Sequence, residues 1–369
     1  MSSKRRKRVV VAMSGGVDSS TALAILQGQG YDCIGVAMQL WDYSEKESPV
    51  GATQGSCCTL DDIHDARTVA DRLAVPFYVL NMEEVFSREV VDYFVKSYLE
   101  GSTPNPCIKC NEVLKFDALL KKSLGLEADY LATGHYARIE RGSEGCRLLK
   151  GVDASKDQSY FLFTMTQAQL ERVLFPLGGH TKEEVRALAR RFGLKTSEKA
   201  ESQEICFVED GDYAEFMTRG LHVGGAAAKA IPGDIVDMGG KVLGTHGGIF
   251  GYTVGQRRGL GLSGGPFYVL DIDPGTNRVV VGPESELYSE GLVASNVNWI
   301  NAEPIGLGSV VSRIRYRHPG VESTLNLTGA STIEVRFTVP QKAVTPGQAV
   351  VFYRGEEVLG GGWIERALR

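Results

Sequence analysis

The sequence has no apolar run approaching the ~20 residues that a membrane-spanning helix needs. Residues 1–8 are basic, and the apolar core of a secretory signal does not follow them, so we do not expect a secretory signal here. Internal repeats and low-complexity segments are also absent. These absences argue against a membrane, secreted or repeat protein. We expect a cytoplasmic protein of two or three domains, because 369 residues exceed the usual size of one domain.

An excess of positive charge is also missing. The chain has 40 Lys and Arg against 45 Asp and Glu, a formal net charge of −5. Proteins that bind nucleic acid over much of their surface are usually strongly basic. If RNA is a partner, it meets local basic patches.

The number of cysteines is odd. Seven cysteines in a chain of intracellular character argue against a disulfide framework and for reduced thiols with chemical roles. Neighbouring cysteines seldom bond to each other, so Cys57 and Cys58 are interpreted as incidental.

The stretch Val9–Ser20 carries the strongest local signal. Val9–Val11 predict a buried strand of a parallel sheet, Ser14–Gly16 predict a turn, and a helical pattern begins at Ser19. Together they predict a phosphate site, because unpaired amides and the helix dipole both favour anions. The alternative is a plain turn capped by Ser19. No Gly-Lys-Ser/Thr follows, which excludes a Walker A loop.

Further strand and helix patterns alternate after this stretch. Strands are predicted over 33–40, 77–80 and 129–133, a helix over 84–99, and a polar lid or disordered segment over 41–54. This order predicts an α/β fold with a doubly wound parallel sheet and ligands at the carboxyl ends of its strands. The motif Ser14–Ser19 resembles the PP-loop of ATP pyrophosphatases, which cleave ATP between the α and β phosphates.

A second informative stretch is Thr103–Asn111. Its two prolines stiffen the chain, and a helix is predicted to begin at Cys110. A thiol at a helix N-terminus, with Lys109 and Lys115 nearby, is expected to be partly ionised and nucleophilic. The Cys-x-x-Cys spacing itself leaves a redox pair, metal ligands and coincidence open.

The second half changes from helical to β character. A strand over 202–208 is predicted to place Cys206 opposite its two neighbours, and a short helix is predicted around 213–217. From Ile231, Gly-rich turns between short β runs predict a small β domain, followed by a closed or nearly closed β-barrel. A strand over 310–316 is predicted to place Arg313, Arg315 and Arg317 on one face, where they could contact phosphates.

Several motifs together resemble one family, the tRNA-specific 2-thiouridylases (MnmA, also called TrmU). They occur in the family's order along nearly the whole chain: Ser14–Ser19, Thr103–Pro106, Cys110–Asn111, Ala132–Tyr136, Lys156–Phe161, Ile205–Phe207, Gly255–Gly261 and Thr345–Gln348. The resemblance implies that ATP adenylates the C2 oxygen of the wobble uridine of tRNA, and that sulfur then replaces this oxygen.

The resemblance also implies roles for individual residues. It makes Cys110 the catalytic nucleophile and Cys206 the carrier of a persulfide. It assigns ATP binding to Ala12, Met13, Ser14, Gly15, Gly16, Val17, Asp18, Ser19, Met38 and Gly134. It places Asn105, Pro106 and Cys107 at the target base, and His135, Lys156, Asp157, Gln158, Arg315, Tyr316 and Gln348 at tRNA. We expect Mg²⁺ beside Asp18, and as partners tRNA and a persulfide donor, either a cysteine desulfurase or a relay protein.

Cys107 leaves two routes for sulfur open. Some members of the family have Asp at this position, while Cys-x-x-Cys members are suspected of holding an iron–sulfur cluster on the equivalents of Cys107, Cys110 and Cys206. The persulfide route needs only Cys110 and Cys206, and we favour it.

The predicted architecture is a PP-loop catalytic domain over 1–218, a small β-rich domain over 219–290 and a C-terminal β-barrel that contacts tRNA over 291–369.

Two alternative functions explain less of the sequence. A PP-loop ligase that adenylates a small molecule fits the nucleotide motif, but no glutaminase or ammonia-channel segment is recognisable. A non-catalytic RNA-binding or redox-sensing protein fits poorly with an intact PP-loop and two candidate reactive cysteines.

Overall fold

The computed structural model describes residues 5–41, 59–200, 205–208, 213–219, 230–301 and 308–369. By its contacts the chain divides into two compact units. The first comprises Met1–Glu89, Cys107–Gly211 and Glu356–Val358; the second comprises Val90–Pro106, Asp212–Gly355 and Leu359–Arg369. In the described residues, no helix has the length and apolar character needed to cross a membrane.

The first unit is built on a parallel sheet. The described strands of this unit are β1 (Arg8–Ala12), β2 (Asp32–Gln39), β3 (Phe77–Asn81), β4 (Tyr130–Ala132), β5 (Ala137–Gly142), β6 (Gly145–Lys150) and β7 (Val173–Leu174). Five of them form a parallel sheet in the order β3-β2-β1-β4-β7. The chain order reverses beside β1, and such a reversal is where open α/β sheets bind ligands. The predicted doubly wound fold is confirmed.

Helices cover this sheet because their apolar faces pack on it. In the described residues, the α-helices of the two units are α1 (Val17–Gly28), α2 (Leu60–Arg72), α3 (Glu83–Phe86), α4 (Asp92–Leu99), α5 (Pro106–Cys110), α6 (Leu120–Gly125), α7 (Gln167–Leu170), α8 (Lys182–Arg191) and α9 (Tyr213–Arg219). Val9 and Val11 of β1, Leu23 and Leu26 of α1 and Ala189 of α8 meet in one buried cluster. Strands β5 and β6 form an antiparallel pair, and Glu357 and Val358 pair with β6 within the first unit.

Two helical segments differ from the α-helices that the pattern predicts. The helix predicted over 84–99 has the expected extent, but its middle, Ser87–Val91, is π-helical. The helix predicted to begin at Cys110 begins four residues earlier, at Pro106, and continues as a π-helix over Asn111–Leu119. Proline suits a first helical position, where its missing N–H has no partner to lose. The prediction that Cys110 lies at a helix N-terminus is therefore wrong.

The second unit contains two β structures. Strands β8 (Gly233–Val236), β9 (Val242–His246), β10 (Tyr268–Asp273) and β11 (Arg278–Gly282) form a sheet in the order β10-β11-β8-β9 around buried Ile235, Val269 and Val279. The barrel consists of β12 (Tyr288–Trp299), β13 (Val310–Arg313), β14 (Val321–Leu327), β15 (Ile333–Lys342), β16 (Ala349–Arg354) and β17 (Glu357–Leu368). Pairing of β12 with β17 closes it, which confirms the predicted barrel.

The arginine ladder predicted along one barrel strand is wrong. Strand β13 ends at Arg313, and the chain turns there: the N–H of His318 donates to the carbonyl of Arg315 at 3.0 Å, and the N–H of Gly320 donates to Nδ1 of His318. Arg315 and Arg317 are exposed in this turn. Pro319 lacks an N–H for a strand ladder, which favours the turn.

The strand predicted around Cys206 is also wrong where it can be checked. Ile205–Val208 form a turn closed by a hydrogen bond of 3.0 Å from the N–H of Val208 to the carbonyl of Ile205. Phe207 and Val208 are both buried, whereas strand neighbours would face opposite sides. Residues 202–204 and the segment 42–58, which contains Cys57 and Cys58, lie outside the described residues. The domain bounds stay a prediction.

The α1 core offers a test of the packing. Leu23 is fully buried, whereas Leu124 in α6 is 45% exposed. We expect Leu23→Ala to lower the free energy of unfolding by about 2–5 kcal/mol, because it removes buried apolar surface and leaves a cavity. Leu124→Ala is the matched control, with an expected change within about 0.5 kcal/mol. Urea unfolding followed by circular dichroism measures both, and equal losses would contradict the assignment of Leu23 to the core.

Candidate functional site

The PP-loop (Ser14–Ser19) connects β1 to α1. Helix α1 begins at Val17, two residues before the predicted start, and its N-cap is Gly16, which has no side chain to cap the first amides. Ser19 does not cap the helix; its Oγ accepts a hydrogen bond of 3.1 Å from the N–H of Ser14 and so holds the turn. The first amides of α1 are therefore left for an anion.

Two glycines allow other segments to approach the PP-loop closely. Gly15 has φ +70°, and a Cβ there would lie 2.2 Å from the carbonyl oxygen of Asp62 in α2. A Cβ on Gly134, just after β4, would lie 2.8 Å from the backbone nitrogen of Ser19. A side chain at either position would collide with backbone. The lack of a side chain at both positions lets these backbone segments pack in direct contact at this sheet edge.

The predicted ATP-binding residues gather at one edge of the sheet. Ala12 ends β1, Met38 is the second-last residue of β2, and Gly134 follows β4 by two residues. These strands are adjacent and parallel, so their carboxyl ends meet. Met13, Val17 and Met38 are buried, so their side chains pack in the interior at this edge.

Asp18 has two partners that the sequence did not indicate. The Nζ of Lys182 lies 2.8 Å from both carboxylate oxygens, and the hydroxyl of Tyr136 donates to Oδ1 at 2.8 Å. The Lys182 side chain is only 11% exposed. Lys182 is 164 residues from Asp18 along the chain, and only the fold brings the two together.

A second acidic group lies behind the PP-loop. The Asp62 carboxylate accepts hydrogen bonds from the backbone and hydroxyl of Thr59, which caps α2. Lys199 bonds both Asp62, at 2.7 Å, and Asp65. The pKa of Lys199 is raised: burial alone would lower it, but the hydrogen bonds to the two carboxylates outweigh that effect. These contacts fix the segment against which Gly15 packs, and sequence patterns did not single them out.

The described cysteines fall into two groups by exposure. Cys107 is exposed, and Cys110 and Cys206 are half-buried. Cys33 and Cys146 are buried; burial raises the pKa of Cys33 to about 11 and also raises the pKa of Cys146. Thiols with a raised pKa are poor nucleophiles at neutral pH. The candidate reactive thiols are therefore the three that the sequence indicated.

An aromatic cluster anchors the turn that carries Cys206. The ring of Phe207 lies 6.4 Å from that of Trp41 and 5.7 Å from that of Phe86, and all three side chains are buried. Trp41 follows β2, and Phe86 follows β3 within α3. The backbone next to Cys206 is thus tied to the sheet edge that bears the PP-loop.

Three residues predicted to contact tRNA, His135, Asp157 and Gln158, form hydrogen bonds within the first unit. The Asp157 carboxylate accepts from the N–H groups of Gly151 and Ser159, and Oε1 of Gln158 accepts from the N–H of Tyr136. His135 is buried beside Thr133, whose Oγ1 lies 2.6 Å from its Nδ1. Burial first, and then the charge of Lys115, lower the pKa of His135, so it is neutral at neutral pH. A neutral, buried imidazole does not attract phosphate as a cation. Lys156 is half-buried.

The other residues predicted to contact tRNA, Arg315, Tyr316 and Gln348, lie in the second unit. Nε2 of Gln348 donates to the carbonyls of Thr103 and Pro104 at 3.0 and 3.2 Å, so it holds the stretch that leads to Asn105 and Pro106. Gly347, with φ +86°, packs on Thr103, leaving no room for a Cβ. Arg315 and Tyr316 lie in the turn after β13. The Gly-rich loop Gly255–Gly261 lines a cleft of about 420 Å³, and Arg257, Leu260 and Phe267 are among the lining residues.

These features define a class of protein: a PP-loop α/β protein with two β-rich modules. Comparison with known families agrees with this class. The family described as "tRNA methyl transferase HUP domain" matches residues 7–210, its PRC-barrel domain matches 224–283, and an "aminomethyltransferase beta-barrel domain" matches 289–364.

Full-length relatives are more specific. A protein of Geobacter metallireducens named tRNA-specific 2-thiouridylase MnmA is 55% identical over 370 residues, covering 100% of this chain and 99% of the relative. Proteins of the same name are 51% identical in Carboxydothermus hydrogenoformans, over 98% of this chain and 99% of the relative, and 51% identical in Magnetococcus marinus, over 97% and 99%. The chain belongs to the MnmA family of tRNA-specific 2-thiouridylases.

Gly15 tests whether the close approach at the PP-loop matters. We expect Gly15→Ala to lower the free energy of unfolding by more than about 1 kcal/mol, because the residue has a left-handed conformation and its Cβ would collide with Asp62. Gly28→Ala, at the end of α1 with no atom within 4 Å of the new Cβ, is the matched control and should not destabilise the protein. Thermal melts of both variants measure the difference. A melt of Gly15→Ala that matched the wild type would contradict the close packing.

Proposed function

We propose that the protein uses ATP to thiolate the wobble uridine of tRNA at C2. The observation that carries the proposal is the nucleotide site at the sheet edge, where uncapped α1 amides, Gly15, Gly134 and Asp18 come together. The family relationship supplies the substrate class. The partners that go with the proposal are tRNA and a persulfide donor, a cysteine desulfurase or relay protein, in the cytoplasm.

Adenylation gives the reaction its leaving group. The carbonyl oxygen of a pyrimidine leaves poorly, whereas AMP leaves well. In the proposed step the uridine O2 bonds to the α-phosphorus of ATP, the α–β phosphoanhydride bond breaks, and pyrophosphate departs. The α1 amides bind phosphate oxygens, and Asp18 is the carboxylate suited to Mg²⁺, which prefers one or two carboxylates plus phosphates and water. When bound, Mg²⁺ neutralises charge on the departing pyrophosphate.

Sulfur transfer needs two thiols. The terminal sulfur of a persulfide on Cys206 bonds to C2, and AMP leaves with the original oxygen. The Cys110 thiolate then attacks the inner sulfur of Cys206; the bond to the transferred sulfur breaks, and its electron pair remains on the 2-thiouridine. The pair ends as a Cys110–Cys206 disulfide, and an external thiol reductant restores it. The half-exposed state of both cysteines supports these roles.

We favour the persulfide route over a route through an iron–sulfur cluster. Across the described residues, which include Cys107, Cys110 and Cys206, no group of three or more His, Cys, Asp or Glu is arranged to hold a metal ion. Three thiolates converging on one point would form such a group. We therefore derive no step through a cluster, and Cys107 stays a predicted neighbour of the target base.

Cysteine variants test the persulfide route. We expect Cys110→Ser and Cys206→Ser to abolish 2-thiouridine formation when the protein is supplied with ATP, tRNA and a persulfide donor, because each removes one of the two sulfur-exchanging thiols. Cys146→Ser, which alters a buried thiol, is the control and should retain activity. Mass spectrometry of nucleosides from digested tRNA measures the product.

Cys107→Ala separates the two sulfur routes in the same assay. The persulfide route predicts that this variant still forms 2-thiouridine. Loss of the product in Cys107→Ala, together with iron in anaerobically purified wild-type protein, would overturn the route. If the wild type forms no 2-thiouridine on any tRNA tested, the proposed function itself is wrong.

Binding of tRNA is proposed to involve the exposed turn after β13. We expect Arg315→Ala with Arg317→Ala to weaken tRNA binding and to flatten the plot of log affinity against log salt by about 0.7–0.9 per lost phosphate contact. Arg354→Ala, which replaces the exposed arginine at the end of β16, is the control. Filter binding across a salt series measures the slope. An unchanged slope in the double variant would assign tRNA to another surface.

A further inference from the structure

The PP-loop itself contains no cation. No Lys or Arg occurs in residues 9–27, although the loop is proposed to bind a triphosphate. In Walker A loops, a lysine within the motif contacts the β and γ phosphates. A site that binds the same polyanion without that lysine needs positive charge from another part of the fold.

Helix α8 brings a lysine to this position. Lys182 is its first residue, and its Nζ contacts Asp18, the second residue of α1, through both carboxylate oxygens. The nearby α8 amides have their own partners: the N–H of Lys182 donates to Asp153, and the N–H of Glu184 donates to the capping Thr181. What α8 presents to the PP-loop is therefore the ammonium group and not its helix terminus.

The surroundings hold this ammonium in place. The Lys182 side chain is mostly buried, and Nζ lies 5.7 Å from the centre of the Tyr136 ring, an arrangement that attracts a cation. The backbone of Tyr136 is fixed in turn by hydrogen bonds with Gln158. A lysine that merely covered a surface would not be built into a part-buried network with the PP-loop aspartate.

We propose that Lys182 is the phosphate-binding cation of this nucleotide site and contacts the pyrophosphate portion of ATP. The Lys182–Asp18 pair matches the two halves of Mg-ATP: the carboxylate suits Mg²⁺, and the ammonium suits phosphate oxygens. Since Asp18 is proposed to hold the Mg²⁺ of the pyrophosphate, a lysine 2.8 Å from Asp18 lies at the same end of the nucleotide. This inference rests on the proposed use of ATP and adds a residue to it.

Nucleotide binding by purified full-length variants tests the proposal. Lys182→Met should weaken Mg-ATP binding by about 10–100-fold, the usual effect of losing a charged hydrogen bond. It should change AMP binding less than about twofold, because AMP lacks the pyrophosphate that the ammonium contacts. Lys195→Met is the matched control: it removes an exposed lysine and should leave both affinities unchanged. Equilibrium dialysis with labelled nucleotides measures each Kd.

A structural role for Lys182 predicts a different pattern. Tyr136→Phe removes another Asp18 partner without removing charge, so it serves as the comparison. If Lys182 only holds Asp18 in place, Lys182→Met and Tyr136→Phe should shift Mg-ATP and AMP affinity by similar factors, which would overturn the proposal. If Lys182→Met does not fold by circular dichroism, Lys182→Gln, which retains a hydrogen-bond donor, replaces it with the same expected selectivity. Wild-type protein that bound no ATP would contradict the proposed function instead.

Discussion

The first unit depends on the close backbone packing around the PP-loop. Gly15 allows the loop to lie against α2, and Gly134 allows the segment after β4 to lie against the first turn of α1. Because neither position has room for a side chain, the loop after β1 packs on the first turn of α2, and the segment after β4 packs on the first turn of α1. Asp18 then becomes the point where distant segments meet, since Lys182 comes from α8 and Tyr136 from the segment after β4.

Sequence patterns predicted the features that are local. The β1–loop–α1 unit, the parallel sheet and the barrel follow from periodicities over short windows, and the structure has all three. Two element boundaries were predicted wrongly, and in both cases a proline lies near the true boundary. Pro106 starts a helix four residues before Cys110, and the turn around Pro319 ends the strand that would have aligned Arg315 with Arg313. The periodicity of apolar and polar residues does not reveal either boundary, because each boundary depends on the position of a proline.

The partners of the acidic groups could not have been predicted in this way. Lys182 and Lys199 lie on elements whose own sequence describes ordinary solvated helix starts and turns, and each reaches its carboxylate across more than 130 residues, 164 from Asp18 to Lys182 and 137 from Asp62 to Lys199. A buried ammonium loses its hydration and is stable only where carboxylates replace it. Such pairs are a property of the folded chain, and no local pattern in the sequence specifies them.

The thiols add the second half of the chemistry. Burial makes Cys33 and Cys146 unreactive, while Cys110 and Cys206 remain accessible on segments tied to the same unit as the PP-loop. In the proposed mechanism, one set of residues adenylates the uridine and another transfers the sulfur. Incubation with ATP labelled at the α-phosphate, with and without tRNA, tests it most directly. The account predicts tRNA-dependent release of labelled AMP with an equal amount of pyrophosphate; labelled ADP as the main product would contradict it.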